Sequence, residues 1–267
     1  MDNRPIGVFD SGLGGLTVVK ELMRELPGEN IVYFGDTARI PYGTRSRDIV
    51  TKYSSQSIRF LMSMDVKIAV IACNTVSAGS FEALSSAFDL PLVSVIHPGA
   101  RAAVEATQNG RIGIIGTEGT IRSKAYPKAI QSLNPDILVL DQACSLFVPI
   151  VEEGWSDTEV ARLTAMRYLE GLSREKVDTL VLGCTHYPLL EKTISSVMGS
   201  DVRLINPAVN TACRVGEILG NTHKLNDSKG QSAVQFYVSD FGQRFQAIGS
   251  HFLGRKIVAE CIDIEAY

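Results

Sequence analysis

Two stretches of this chain run into a cysteine in the same way: Ile68-Ala69-Val70-Ile71-Ala72-Cys73-Asn74-Thr75 and Thr179-Leu180-Val181-Leu182-Gly183-Cys184-Thr185-His186. A thiolate is a competent base and nucleophile, and two thiols can share a site in two ways. If one is a nucleophile, a single neighbouring base completes the site and the other cysteine is surplus. If they stand on opposite walls, one can take a proton from a carbon while the other delivers a proton to its opposite face. That second use is racemisation. The α-proton of an amino acid is only weakly acidic, so such a site must also stabilise developing negative charge and exclude water. A lone buried cysteine is commonly inert. Two in equivalent contexts, 111 residues apart, point instead to a site built from two facing halves.

The run before each cysteine is apolar and β-branched without alternation, the pattern of a parallel strand buried on both faces. Each cysteine then falls at a strand's C-terminal end, where open α/β sheets hold their ligands. The small polar residues that follow suit a helix N-terminus, so peptide dipoles are expected to stabilise a thiolate and lower its pKa. His186 is close enough in sequence to Cys184 to assist its proton transfers. Asn74, Thr75 and Thr185, with backbone N–H groups at the helix starts, can hold a substrate carboxylate.

Other stretches contribute chemistry at strand ends. Ile6-Gly7-Val8-Phe9 reads as a strand followed by the turn Asp10-Ser11-Gly12-Leu13-Gly14-Gly15. The turn lacks the Lys-Ser/Thr of a P-loop and does not match G-x-G-x-x-G, which argues against nucleotide binding. Tight glycine turns need no acid or hydroxyl, so Asp10 and Ser11 are site candidates. The loop from Asp36 to Thr44, after a strand at Ile31–Phe34, offers hydroxyls and backbone donors at Pro41-Tyr42-Gly43-Thr44. Glu152 and Glu153 close an apolar run and read equally well as solvated acids or as acids near the site. His97, His223 and His251 have no metal-ligand spacing, and Cys144, Cys213 and Cys261 read as plain buried side chains.

The positioning elements repeat. Arg111-Ile112-Gly113-Ile114-Ile115-Gly116-Thr117 mirrors the opening at an offset of 106, taking Ile6 to Ile112 and Ser11 to Thr117, while Cys73 maps to Cys184 at 111. One internal duplication of a βα unit is implied, not a solenoid. The expected fold is α/β, with two pseudo-symmetric three-layer domains, mainly parallel sheets and the site in the cleft between them. Residues 1–97 with 208–267 form the domain carrying Cys73, and residues 98–207 the domain carrying Cys184. A helix is expected from Asn74 to about Phe88, a strand over Pro91–Ile96 and a polar loop over Asn221–Gln231.

Composition narrows the class. The 267 residues carry 26 Lys+Arg and 29 Asp+Glu, a net charge of −3, with no basic run. This leaves no electrostatic footprint for nucleic acid. No apolar stretch approaches the ~20 residues that span a bilayer, and no signal-peptide pattern opens the chain. A cytoplasmic location, with five unpaired thiols, is the expectation.

Taken together, Gly7-Val8-Phe9-Asp10-Ser11-Gly12-Leu13-Gly14-Gly15, Gly35-Asp36-Thr37 with Pro41-Tyr42-Gly43, Ala72-Cys73-Asn74-Thr75 and Gly183-Cys184-Thr185-His186-Tyr187-Pro188 resemble the glutamate racemases of the aspartate/glutamate racemase family over essentially the whole chain. The resemblance implies interconversion of L- and D-glutamate with no PLP or metal, supplying D-glutamate for peptidoglycan. It implies that Cys73 deprotonates D-glutamate with help from Asp10, and that Cys184 deprotonates L-glutamate with help from His186 and Glu152. Substrate contacts carry over to Asp10, Ser11, Tyr42, Gly43, Asn74, Thr75, Thr185 and His186. An aspartate racemase, a non-catalytic amino-acid-binding module and a one-cysteine hydrolase remain as rivals, and a homodimer is left open as an assembly.

Overall fold

The computed structural model describes residues 2–226 and 232–267; of the polar loop expected over Asn221–Gln231, residues 227–231 lie outside the described residues, and Asn221 is still the last residue of a helix. Among the described residues ten strands form two sheets, and every strand pairing is parallel. The first sheet contains β1 (Ile6–Asp10), β2 (Ile31–Gly35), β3 (Ile68–Ile71) and β4 (Leu92–Ser94). The second contains β5 (Arg111–Gly116), β6 (Leu138–Ala143), β7 (Thr179–Gly183) and β8 (Arg203–Ile205). The chain then returns to the first sheet as β9 (Val234–Val238) and β10 (Ala259–Cys261). Helices cover both faces of each sheet, giving a two-domain α/β fold.

The duplication read from sequence is visible as topology. Strand order is β2-β1-β3-β4 in one sheet and β6-β5-β7-β8 in the other, with β9 and β10 added outside β2. Central strands β1, β3 and β7 are buried at every position, as their unbroken apolar runs require. Helix Pro207–Asn221 packs against Leu16–Glu25 of one half and against Ile96–Ala106. It presents Ala208, Ala212, Val215 and Leu219 to that junction, so the halves are joined by apolar packing as well as by chain crossings.

Three expectations change. The helix after Cys73 is two helices, Asn74–Gly79 and Phe81–Ala87, broken at Ser80. Glycine followed by serine is a weak helical sequence, and the Ser80 hydroxyl is held by Thr51 at 2.7 Å. The strand expected over Pro91–Ile96 stops at Ser94, whose hydroxyl accepts the Ile96 N–H at 3.1 Å as the next helix starts. Pro98 falls in that helix's first turn, where a missing N–H costs nothing. Of the three cysteines read as buried, only Cys144 is. Cys213 lies on the outer face of helix Pro207–Asn221, and Cys261 on edge strand β10.

Candidate active site

The C-terminal ends of β1 and β3 in one sheet and of β5 and β7 in the other meet at one cavity of about 250 Å³. Ser11 follows β1, Cys73 follows β3, Thr117 follows β5 and Cys184 follows β7, and all four line it. Tyr42, Gly43, Asn74, Thr75, Glu152, Thr185 and His186 line it too. Asp10 is buried beneath, accepting the Gly12 N–H at 3.0 Å and facing the Thr185 hydroxyl at 3.4 Å. The space is below the ~300–1,000 Å³ of drug-sized ligand sites, so it suits a small metabolite. A larger cavity, about 600 Å³, is lined by His97, Arg101, Arg214 and Glu217 among others and touches neither Cys73 nor Cys184.

Around Cys73 the charges are negative. Its Sγ donates to the Ser11 hydroxyl at 3.4 Å. Burial and the nearby Asp10 carboxylate push the thiol up to about 12. The expected lowering by the helix N-terminus is overturned here: the helix has only six residues, and it cannot offset removal of a thiolate from water. Burial also raises the Asp10 carboxyl, against the pull of His186 and the Gly12 and Gly15 N–H groups.

Around Cys184 the arrangement is a relay. His186 Nδ1 lies 3.9 Å from the Cys184 sulfur, and Nε2 lies 3.1 Å from Glu152 Oε1. Burial works against the imidazolium, but hydrogen bonds and charge from Cys184 and Glu152 prevail and push His186 up to about 10. Burial likewise disfavours the Glu152 carboxylate, yet His186 and Arg244 hold it below the ordinary range. At neutral pH the pair is therefore imidazolium and carboxylate.

Contacts across the cleft set the geometry. The Tyr126 hydroxyl donates to Asn74 Oδ1 at 2.8 Å, Thr75 and Thr117 hydroxyls meet at 2.9 Å, and the Thr17 hydroxyl donates to the Thr185 carbonyl at 3.1 Å. Gly14 allows this approach: a Cβ there would collide with Thr185 and stand 2.5 Å from His186 Nδ1. The Tyr42 hydroxyl turns away to donate to Asp36, so that side chain's one polar group is already engaged. Among the described residues no group of three or more His, Cys, Asp and Glu side chains is placed to hold a metal ion, and no helix is long and apolar enough to cross a membrane.

Sequence reasoning missed Thr117, Val148, Pro149 and Tyr126. Thr117 carried a signal, since the repeat maps it onto Ser11. Val148 and Pro149 sit in the short helix Phe147–Glu152 and shape the wall without any chemical signature. Tyr126 reaches Asn74 from a helix of the second half, a partnership that no local pattern announces.

Known proteins give an independent comparison. Residues 6–212 match the family model described as Asp/Glu/Hydantoin racemase. The chain is 52% identical over 254 residues to the glutamate racemase of Geobacter metallireducens, covering 95% of this chain and 94% of that one. Among solved structures it is similar to glutamate racemase isoform RacE1 of Bacillus anthracis, with a TM-score of 0.95, 41% identity and 98% of each chain covered. The glutamate racemase of Francisella tularensis in complex with D-glutamate gives 0.93 and 39%, with both chains covered completely.

Proposed function

Because the chain belongs to the Asp/Glu/Hydantoin racemase family, and is accordingly an isomerase, we propose that it interconverts L- and D-glutamate by a two-base thiol mechanism. The observation that carries this reading is the shared cavity: Cys73 and Cys184 reach it from equivalent strand ends of the two sheets. Its close relatives named glutamate racemase support glutamate as the substrate. The product D-glutamate would serve peptidoglycan synthesis in the cytoplasm.

The proton balance is simple. From D-glutamate, the Cys73 thiolate takes the α-proton, and the Cys184 thiol gives its own to the opposite face. Cys73 ends as thiol and Cys184 as thiolate, facing the His186 imidazolium. The reverse direction starts from that state, with Cys184 removing the α-proton of L-glutamate. Asp10, made more basic by burial, assists Cys73, and the substrate ammonium beside it offsets the negative charge gathered there. His186 and Glu152 assist Cys184. Ser11, Tyr42, Gly43, Asn74, Thr75 and Thr185 hold the substrate with Asp10 and His186, Tyr42 and Gly43 doing so through their backbone. Residues 1–97 with 208–267, and 98–207, are the two domains whose cleft is the site.

Incubation with either enantiomer in D2O tests the mechanism. Wild-type protein should invert it with α-deuterium incorporation, while Cys73→Ala and Cys184→Ala should each lower racemisation by at least about 10³-fold. Near-normal turnover in either variant means the two-base assignment is wrong. Aspartate, one methylene shorter, should be disfavoured in kcat/KM by roughly 10-fold or more.

A further inference from the structure

The cavity wall at Ile40, Pro41, Tyr42 and Gly43 belongs to a loop, residues 36–44, that is anchored by the C-terminal segment, which lies beyond the 6–212 matched to the family. Asp36 is fully buried at the centre of the anchor. Its Oδ2 accepts the Tyr42 hydroxyl and, at 2.7 Å, Arg39 Nε, while Oδ1 accepts the Ser239 hydroxyl at 2.8 Å. The same Ser239 Oγ accepts the Ala38 N–H at 2.8 Å. Beside it, the Thr37 hydroxyl donates to the Asp240 carbonyl and accepts the Asp240 N–H at 3.0 Å. Ser239 directly follows β9, which pairs with β2 residue by residue from Ile31 to Gly35.

We infer that Ser239 is a positioning residue for the racemisation, setting the Tyr42–Gly43 wall through Asp36. The inference rests on the functional reading above. Its physical basis is a chain of single-purpose contacts. The buried Tyr42 phenol is kept protonated by burial and by the Asp36 charge, so it must donate, and Asp36 is its acceptor. Ser239 and Arg39 are the donors that fix the carboxylate's rotation. Without the serine hydroxyl one carboxylate oxygen loses its partner, the Ala38 N–H loses its acceptor, and the loop is released at two points. On the far side the loop has no slack. The Gly43 carbonyl accepts the Gly119 N–H at 2.9 Å, and a Cβ on Gly43 would stand 2.9 Å from Thr117 Cβ. Movement at Asp36 is thus passed to the wall that the substrate touches, where small misplacements weaken binding.

Kinetics of the full-length chain test this. Ser239→Ala should raise KM about 3- to 10-fold for both enantiomers with kcat nearly unchanged, the signature of lost binding common to ground and transition states. Tyr42→Phe, which cuts the same chain nearer the cavity, should give the same split, and Ser239→Thr should return KM to within about twofold of wild type. As a control in the same segment, Ser250→Ala removes the acceptor of the Ile257 N–H (3.1 Å) without touching the loop, and should leave KM unchanged. An unchanged KM in Ser239→Ala with active wild type overturns the inference alone, as does an equal rise in Ser250→Ala. Wild-type protein inactive on glutamate overturns the functional reading and this inference with it.

Discussion

Cys73 and Cys184 end equivalent strands of two sheets with one strand order, yet they sit in opposite electrostatic settings. Cys73 has a hydroxyl at 3.4 Å and the buried Asp10 nearby, and its thiol is pushed up to about 12. Cys184 has an imidazole at 3.9 Å, backed by a carboxylate and pushed up to about 10. The repeat offers no counterpart for these charges. At its offsets Asp10 corresponds to Gly116, and His186 to Thr75. Backbone architecture was duplicated, while the charges were set separately on each side. A two-base racemase has use for that difference, because at any moment one thiol must hold a proton while the other lacks it.

Removing the charge on each side is the strongest way to break the comparison. Asp10→Asn and His186→Asn should each lower kcat/KM by roughly 10²-fold. Since the equilibrium constant between enantiomers is one, the loss must be equal in both directions. The affected side should instead appear in the α-deuterium isotope effect. In the mechanism proposed above, where the D-glutamate proton goes to Cys73, Asp10→Asn should enlarge it for D-glutamate and His186→Asn for L-glutamate. The same pattern in both variants would mean the two sides are not separate.

A smaller effect is expected from Glu152→Gln, about tenfold in kcat/KM at neutral pH, within the range of a lost charge-assisted hydrogen bond. Its sharper readout is pH. His186 is raised above its unfolded value, so its contribution to stability is complete below pH 6.5 and lost as pH rises through about 10. Glu152 is lowered, so its contribution is present above the ordinary carboxylate range and lost as pH falls through its folded value. Taking away the Glu152 charge should bring His186 down toward 6.5, moving the alkaline limb of both the pH–rate profile and the melting curve to lower pH. A limb that stays near 10 would place the support of His186 elsewhere.

Smallest should be Tyr126→Phe, which frees Asn74 Oδ1 without touching either thiol. KM should rise about 3- to 10-fold with kcat nearly unchanged, measured with both enantiomers. A fall in kcat with constant KM would show that Asn74 serves the transition state instead.

Much of this protein was legible as a string. Each apolar run with its cysteine, and the acid–hydroxyl turn after the first strand, are contiguous patterns whose burial and direction follow from local composition. The duplication declared itself by offset, and with it the two-domain fold and the pairing of the cysteines. Boundaries shifted where one side chain redirected the backbone, as at Ser80 and Ser94. Buried and exposed cysteines were not separable, because the face Cys213 takes depends on what its helix packs against.

The order of residue types along the chain therefore determined which groups arrive at strand ends and that they arrive twice. Tertiary structure alone decided what each group meets: Tyr126 on Asn74, Thr117 on Thr75, Ser239 on Asp36, and, around Cys73, the burial and the Asp10 charge that raise its thiol. Those contacts join residues tens to hundreds of positions apart, and the energy of a charge depends on distance and on the exclusion of water. Neither quantity exists until each half has folded and, for Tyr126 and Thr117, until the two halves have closed on each other.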